Sequence, residues 1–302
     1  MSRIKEALAK AAREKAKLVA TGIAPDLADI LTEVNRPTTV ATAEPAPEIS
    51  SGTTDVQEER PELRSLTFEE IDRRCARPTW TLDPHINVFA PEANKAMGAE
   101  RFRTLRSRLY QIGETRPLKR VLITSSMPSE GKSFVAANLA QSMVHHQNRR
   151  VLLIDGDLRK PSLHKILSAP KTPGLTNYLR GKADEFEVIQ KGLQSNLFFI
   201  PAGDEVSTPS ELLLSTRMKK LMDLASEAFD WVILDSPPAV PVHDPSMLAS
   251  LCDGVLFVVR AASTDVEIVE KASAEFRNKN LLGVVFNHAD TSKQYKNTYY
   301  YG

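Results

Sequence analysis

Cysteine is nearly absent from this chain. Only Cys75 and Cys252 occur in 302 residues, and they lie far apart, which excludes a disulfide framework or a thiolate metal cluster and fits a reducing cytosol. Long apolar runs are missing too. None approaches the ~20 residues needed to span a bilayer, and the basic N-terminus has no apolar centre of a secretion signal. No charge of one sign dominates either: 39 Lys and Arg against 38 Asp and Glu leave a formal net charge of +1, which argues against a general nucleic-acid binder. What is left is the composition of an ordinary globular protein. The expectation is a cytoplasmic chain whose contact with a membrane is peripheral or borrowed.

The first 81 residues differ from the rest. Over Met1 to Ala20 a helical wheel gathers Ile4, Leu8, Ala11, Ala12, Leu18 and Val19 on one side, with Arg3, Lys5, Lys10, Arg13 and Lys17 around the remainder and Lys15 interrupting the stripe. Such a basic, imperfectly amphipathic helix suits an anionic membrane face, a partner helix or its own chain. From Arg36 to Glu62 the sequence is rich in Pro, Thr, Ala, Glu and Ser and nearly free of large apolar residues, a composition that builds no core and reads as a tether. Order is expected to resume near Leu82.

The chemistry begins at Ser126-Met-Pro-Ser-Glu-Gly-Lys-Ser133, between the apolar run Val121 to Thr124 and an apolar-periodic segment from Phe134 to Val144. A strand feeding a helix through such a loop cradles phosphate: backbone N–H groups and the positive end of the helix dipole converge on an anion. Lys132 can reach the outer phosphates, and the Ser133 hydroxyl can ligate Mg²⁺. The pattern G-x-x-x-x-G-K-[ST] is met except at its first glycine, where Ser126 stands.

Two further apolar runs end in acids. Val151-Leu-Leu-Ile-Asp155-Gly-Asp157 stops at two carboxylates spaced by one residue, and Trp231-Val-Ile-Leu-Asp235 repeats the design with one. In an open parallel sheet the ligand crevice lies beyond the carboxyl ends of the strands. Asp155, Asp157 and Asp235 are therefore expected to converge on the phosphates held by Lys132, as Mg²⁺ organisers and a proton acceptor.

Around these motifs the pattern alternates. Helix is expected from about Glu92 to Ile112, to about His146 after the loop, around Ser162 to Leu167, over Ser207 to Phe229, over His243 to Leu251 and over Val266 to Asn278. Strands fall at Arg120 to Thr124, Val151 to Asp155, Asn196 to Ile200, Trp231 to Asp235, Gly254 to Arg260 and Leu281 to Asn287, with an irregular piece near Gly174 to Gly181. The implied fold class is α/β: a doubly wound, mainly parallel sheet. Three parts result: a flexible extension over 1–81, a nucleotide domain over 82–290 and a tail over 291–302.

The tail narrows the chemistry. Of six tyrosines, Tyr295, Tyr299, Tyr300 and Tyr301 lie in the last eight residues among Lys, Asn and Thr. Chain ends are usually mobile, and mobile phenols beside a nucleotide domain suit phosphate acceptors; an aromatic contact with a neighbouring subunit is the other use of such an end.

Taken together, the chain resembles the bacterial tyrosine kinases that regulate capsule and exopolysaccharide synthesis, in the variety whose cytoplasmic kinase is separate from its membrane-spanning partner. The resemblance covers Leu82 onward and rests on Ser125 to Ser133, Leu152 to Pro161, Pro209-Ser-Glu-Leu-Leu213, Val232 to Pro238, Glu100-Arg-Phe-Arg-Thr-Leu-Arg106 and the terminal tyrosines. It implies a P-loop NTPase fold and a protein-tyrosine autokinase using ATP and Mg²⁺. On that resemblance Ser126, Met127, Pro128, Ser129, Glu130, Gly131, Lys132, Ser133 and Phe134 bind the nucleotide, and Asn287 reads adenine. Ser133, Asp155 and Asp235 hold the metal; Asp155 or Asp157 takes the proton from an incoming tyrosine. Glu100, Arg103 and Arg106, the family's E-x-x-R-x-x-R, join neighbours in a ring, so that one subunit's tail enters the next subunit's site. The implied partners are further copies of the chain, a membrane-spanning polysaccharide co-polymerase as activator, at the inner face of the plasma membrane, and a tyrosine phosphatase. The loop departs from the family in carrying Ser129 where glycine is common.

Two other uses of the same sheet compete. One is a non-kinase ATPase of the septum-site, plasmid-partition or nitrogenase-iron-protein kind; those carry a second lysine early in the loop, where this chain has Met127. The other is a nucleotide-gated scaffold that assembles without turnover.

Overall fold

The structure, a computed structural model, describes residues 67–90, 96–146, 149–192, 196–240 and 242–289. The expected N-terminal helix, the tether and the tail tyrosines Tyr295, Tyr299, Tyr300 and Tyr301 lie outside the described residues.

Seven strands among the described residues form one sheet in the order β3-β4-β2-β5-β1-β6-β7. They are β1 (Arg120–Ser125), β2 (Val151–Asp155), β3 (Gln190–Lys191), β4 (Leu197–Ile200), β5 (Trp231–Asp235), β6 (Gly254–Arg260) and β7 (Leu281–Asn287). All pairings are parallel except the short β3 edge, which runs antiparallel to β4. The α/β, mainly parallel class expected from the alternating pattern is the observed one.

Helices cover both faces, as a parallel sheet requires. Successive side chains on each strand point to opposite sides, so Leu152, Ile154, Phe198, Val232, Leu234 and Phe257 pack with Met218, Leu221 and Met222 of α8 (Thr216–Ala228). Val121, Ile123, Leu153, Phe199, Ile233 and Val258 pack on the opposite face against α3 (Lys132–Val144) and α2 (Ala96–Thr115). Helix α3 is buried almost all round, and two of its polar side chains, Asn138 and Gln141, tie it to the segment ahead of α2. Asn138 accepts from Val88 N (2.8 Å) and donates to the carbonyls of Ile86 and Phe134, while Gln141 donates to Asn87 Oδ1 at 2.9 Å. These bonds pin the segment before α2 to the helix that follows the phosphate loop.

Several expectations need correction. Order resumes ahead of Leu82: α1 (Phe68–Arg74) sets Phe68 edge-on to Phe198 (5.5 Å) and Phe229, buries Ile71, and leads to the buried Trp80. The piece expected to be irregular near Gly174–Gly181 contains α5 (Leu175–Leu179), which buries Leu175, Tyr178 and Leu179. The helix read over Ser207 to Phe229 is two helices, α7 (Pro209–Leu213) and α8, because the Ser215 hydroxyl accepts from Met218 N and starts a new N-terminus. Helix α6 (Glu185–Val188) and strand β3 went unread. The remaining helices, α4 (Leu163–Ile166), α9 (Asp244–Ala249) and α10 (Val266–Ala274), lie inside their expected spans.

Candidate active site

Strand order concentrates the acids. β5 lies between β1 and β2, with Asp235 in register with Ile123 on one side and Asp155 on the other. Two carboxylates from different parts of the chain thus stand side by side where the apolar strands leave the sheet. The phosphate loop arises from the neighbouring end of β1. Its left-handed backbone falls at Ser129 (φ 63) and at Gly131 (φ 91), the N-cap of α3, so Ser126 at the motif's first position carries no such strain. At Gly131 the φ of 91 favours glycine, and a Cβ would meet Asn287 Nδ2 at 1.9 Å and displace that side chain.

Lys132 Nζ donates to Asp157 Oδ2 at 2.8 Å, and both side chains are nearly buried. Burial opposes the ammonium, but Asp235, Asp157 and Asp155 outweigh it and hold the Lys132 pKa above its ordinary value. The Ser133 hydroxyl donates to Asp235 Oδ2 at 2.5 Å. Burial raises Asp235 to about 6, against the opposing pull of Lys132 and the Ser133 hydrogen bond. Asp155 is pushed well up by burial and then by the Asp235 charge; its oxygens accept from Asp157 N and Leu163 N. Asp157 also accepts from Lys160 N at 3.0 Å. The expected meeting of Lys132, Ser133, Asp155, Asp157 and Asp235 is therefore observed.

Asp235 Oδ1 has no hydrogen-bond partner although it is buried. A buried carboxylate oxygen without a donor, beside a second carboxylate and a serine hydroxyl, is a donor set that fits a hard divalent cation. Among the described residues no three His, Cys, Asp or Glu side chains gather closely enough to hold a metal alone. Mg²⁺ takes one or two protein carboxylates and completes its shell with water and phosphate.

The remaining predicted residues fall around this centre. Phe134, Gly131 and Asn287 line a groove of about 1320 Å³ between α2, α3 and β7, with Phe102 and Phe286 in its walls. Asn287 Nδ2 donates to Glu130 O at 3.0 Å, so this side chain braces the loop. Met127 is half-buried; Pro128 and Ser129 are exposed. Glu100 and Arg103 form an exposed pair at 3.1 Å, whereas Arg106 Nη1 donates inward to Ser142 O at 2.7 Å.

Sequence reasoning missed two supports. Gly156 touches β5 so closely that a Cβ would lie 2.6 Å from Asp235 O. Arg159 Nε meets Asp244 Oδ2 at 2.8 Å, and Ser210 Oγ donates to Asp244 Oδ1 at 2.6 Å, fixing the segment after Asp157 to α7 and α9. The Leu-Arg following Asp157 was the available signal.

A family model described as an AAA domain matches residues 123–275. The chain is 37% identical over 216 residues to the tyrosine-protein kinase YwqD of Bacillus subtilis (strain 168), covering 71% of this chain and 91% of that protein. The chain belongs to the bacterial tyrosine-protein kinases. Its enzyme class is that of a protein-tyrosine kinase, on a P-loop nucleotide-binding fold. It is also 33% identical to the succinoglycan biosynthesis transport protein ExoP of Rhizobium meliloti (strain 1021), over 67% of this chain but only 26% of that protein. The kinase therefore spans nearly all of one relative and about a quarter of the other. Among solved structures, the kinase domain of the Escherichia coli tyrosine kinase ETK superposes with a TM-score of 0.61 at 29% identity, covering 66% of this chain and 78% of that one. Among the described residues no helix is long and apolar enough to cross a membrane.

Proposed function

We propose that this kinase transfers the terminal phosphoryl group of ATP to its own C-terminal tyrosines, Tyr295, Tyr299, Tyr300 and Tyr301, between copies of the chain, and that this regulates polymerisation and export of an exopolysaccharide or capsule. The observation that carries the reading is the convergence of Lys132 and three aspartates behind a glycine-gated phosphate loop, in a chain that ends in a tyrosine cluster.

Each residue has a task. The loop N–H groups and the start of α3 receive the phosphates, and Lys132 supplies a cation to their outer oxygens. Ser133, Asp155 and Asp235 would hold Mg²⁺, which would supply charge neutralisation to the transferring group. A tyrosine hydroxyl, with its pKa near 10, is a poor nucleophile unaided. Asp157, with Asp155 behind it, accepts that proton as the phenol oxygen attacks phosphorus and the bond to the nucleoside diphosphate breaks. Phe134 and Asn287 line the groove beside the loop and on this reading would face the nucleoside.

Delivery of a tail from another copy fits a ring in which Glu100 and Arg103, both exposed on α2, face a neighbour. The polysaccharide link rests on the similarity to ExoP, a succinoglycan biosynthesis transport protein. A membrane-spanning co-polymerase as activator, peripheral placement at the inner face of the membrane and a tyrosine phosphatase that resets the tail complete the proposal.

The test is intact-mass and peptide analysis after incubation with ATP and Mg²⁺, with a cytoplasmic activating segment present. Wild type is expected to gain phosphate on the terminal tyrosines, and Lys132→Met and a form ending at Asp290 to gain none there. Unmodified tyrosines in wild type with normal polymer output in cells expressing Lys132→Met overturn it, and favour a scaffold that works without turnover.

A further inference from the structure

Glu130 sits in the phosphate loop but turns its side chain inward. It is 2% exposed, and its carboxylate collects three donors. Met127 N, in the same loop, reaches Oε2 at 2.6 Å; Arg260 N and the Thr264 hydroxyl reach Oε1 at 3.2 and 2.5 Å. Arg260 ends β6 and Thr264 lies in the turn that leads to α10, both more than a hundred positions along the chain. The Glu130 carbonyl is held as well, by Asn287 Nδ2 at the end of β7.

This loop needs an external brace. It places Ser129, a residue with a Cβ, at φ 63, a conformation that L side chains seldom adopt unless surroundings enforce it. Anion binding by such a loop depends on its N–H groups pointing inward together before the anion arrives. The bond from Met127 N to Glu130 closes the turn around Pro128 and Ser129, and the bonds to Arg260 N and Thr264 fix the far side of the same carboxylate to the sheet.

We propose that Glu130 and Thr264 form a strut that holds the phosphate loop in its binding shape, as positioning residues for phosphoryl transfer. The inference rests on reading Ser126–Ser133 as the loop that binds the nucleotide phosphates. Both main-chain groups can only donate, so both carboxylate oxygens are needed. A glutamine at 130 turns an NH₂ toward one of those donors and breaks the strut without changing its size. At 264 the hydroxyl is the required atom: valine keeps the shape and loses the bond, whereas serine keeps the bond.

Binding of a fluorescent ATP analogue with Mg²⁺ tests this without relying on turnover. Thr264→Val and Glu130→Gln are each expected to weaken binding about tenfold, the scale of one lost charge-assisted hydrogen bond. Thr264→Ser is expected to stay within about twofold of wild type, and the double variant to bind no more weakly than Glu130→Gln, because both changes break one unit. In steady-state assays the loss is expected in KM for ATP more than in kcat, and amide exchange over residues 126–131 is expected to quicken in nucleotide-free Thr264→Val. Wild-type affinity in Thr264→Val, equal losses in Thr264→Ser and Thr264→Val, or unchanged exchange over the loop overturns the strut alone. Failure of wild type itself to bind the analogue overturns the phosphate-loop reading and the strut with it.

Discussion

Asp235 shows how a single carboxylate carries the site's electrostatics. Its folded pKa of about 6 exceeds the ordinary 3.8, chiefly through burial, so between those values the native state binds more protons than the unfolded one. Its contribution to stability is therefore fully present below pH 3.8 and is lost as pH rises through about 6. Asp235→Asn removes that dependence. In the nucleotide-free kinase, denaturant midpoints measured from about pH 4 to pH 7 are expected to fall for wild type relative to the variant, which gains on it with rising pH; a constant offset contradicts the raised pKa. The aspartates were legible because each ends an apolar run, a purely local signal. Which of them meets Lys132 was not legible, since Asp155 and Asp157 are two residues apart and only the folded turn, closed by Leu163 N and Lys160 N, aims Asp157 at the ammonium.

Among the elements, long buried strands were readable and short helices were not. β1, β2, β5 and β6 are continuous apolar runs, the mark of strands covered on both faces. Helix α5 is five residues long, too short for a 3.6-residue period to repeat, and is defined by burial of Tyr178 and Leu179. The division between α7 and α8 depends on one cap. Replacing the Ser215 hydroxyl, which accepts from Met218 N, is expected to lower stability by about 1 kcal/mol in Ser215→Ala, read from urea denaturation with an unchanged slope. No loss assigns the break to packing of the two helices rather than to the cap.

Across the whole molecule, the proposed ring makes assembly and chemistry separable in principle. Arg106 is tied to Ser142 O within the fold, whereas Glu100 and Arg103 pair with each other at the surface, a contact worth little to stability in isolation. The double variant Glu100→Ala with Arg103→Ala is therefore expected to keep its thermal midpoint and its nucleotide affinity, while light scattering shows loss of the oligomer and tyrosine phosphorylation between copies drops at least about tenfold. An unchanged oligomer places the neighbour contact elsewhere.

By itself the sequence determined the phosphate loop, the three aspartates at strand ends, the α/β class and the kinase resemblance, because each is written in a few consecutive residues or in a regular alternation. Tertiary structure decided the rest: β5 between β1 and β2, which sets Asp235 beside Asp155; the early start of order at α1, docked on Phe198 and Phe229; and the hold of Thr264 and Arg260 on Glu130. Those contacts join residues many tens of positions apart. Their energy exists only after the sheet has closed the intervening loops, so no local pattern records them.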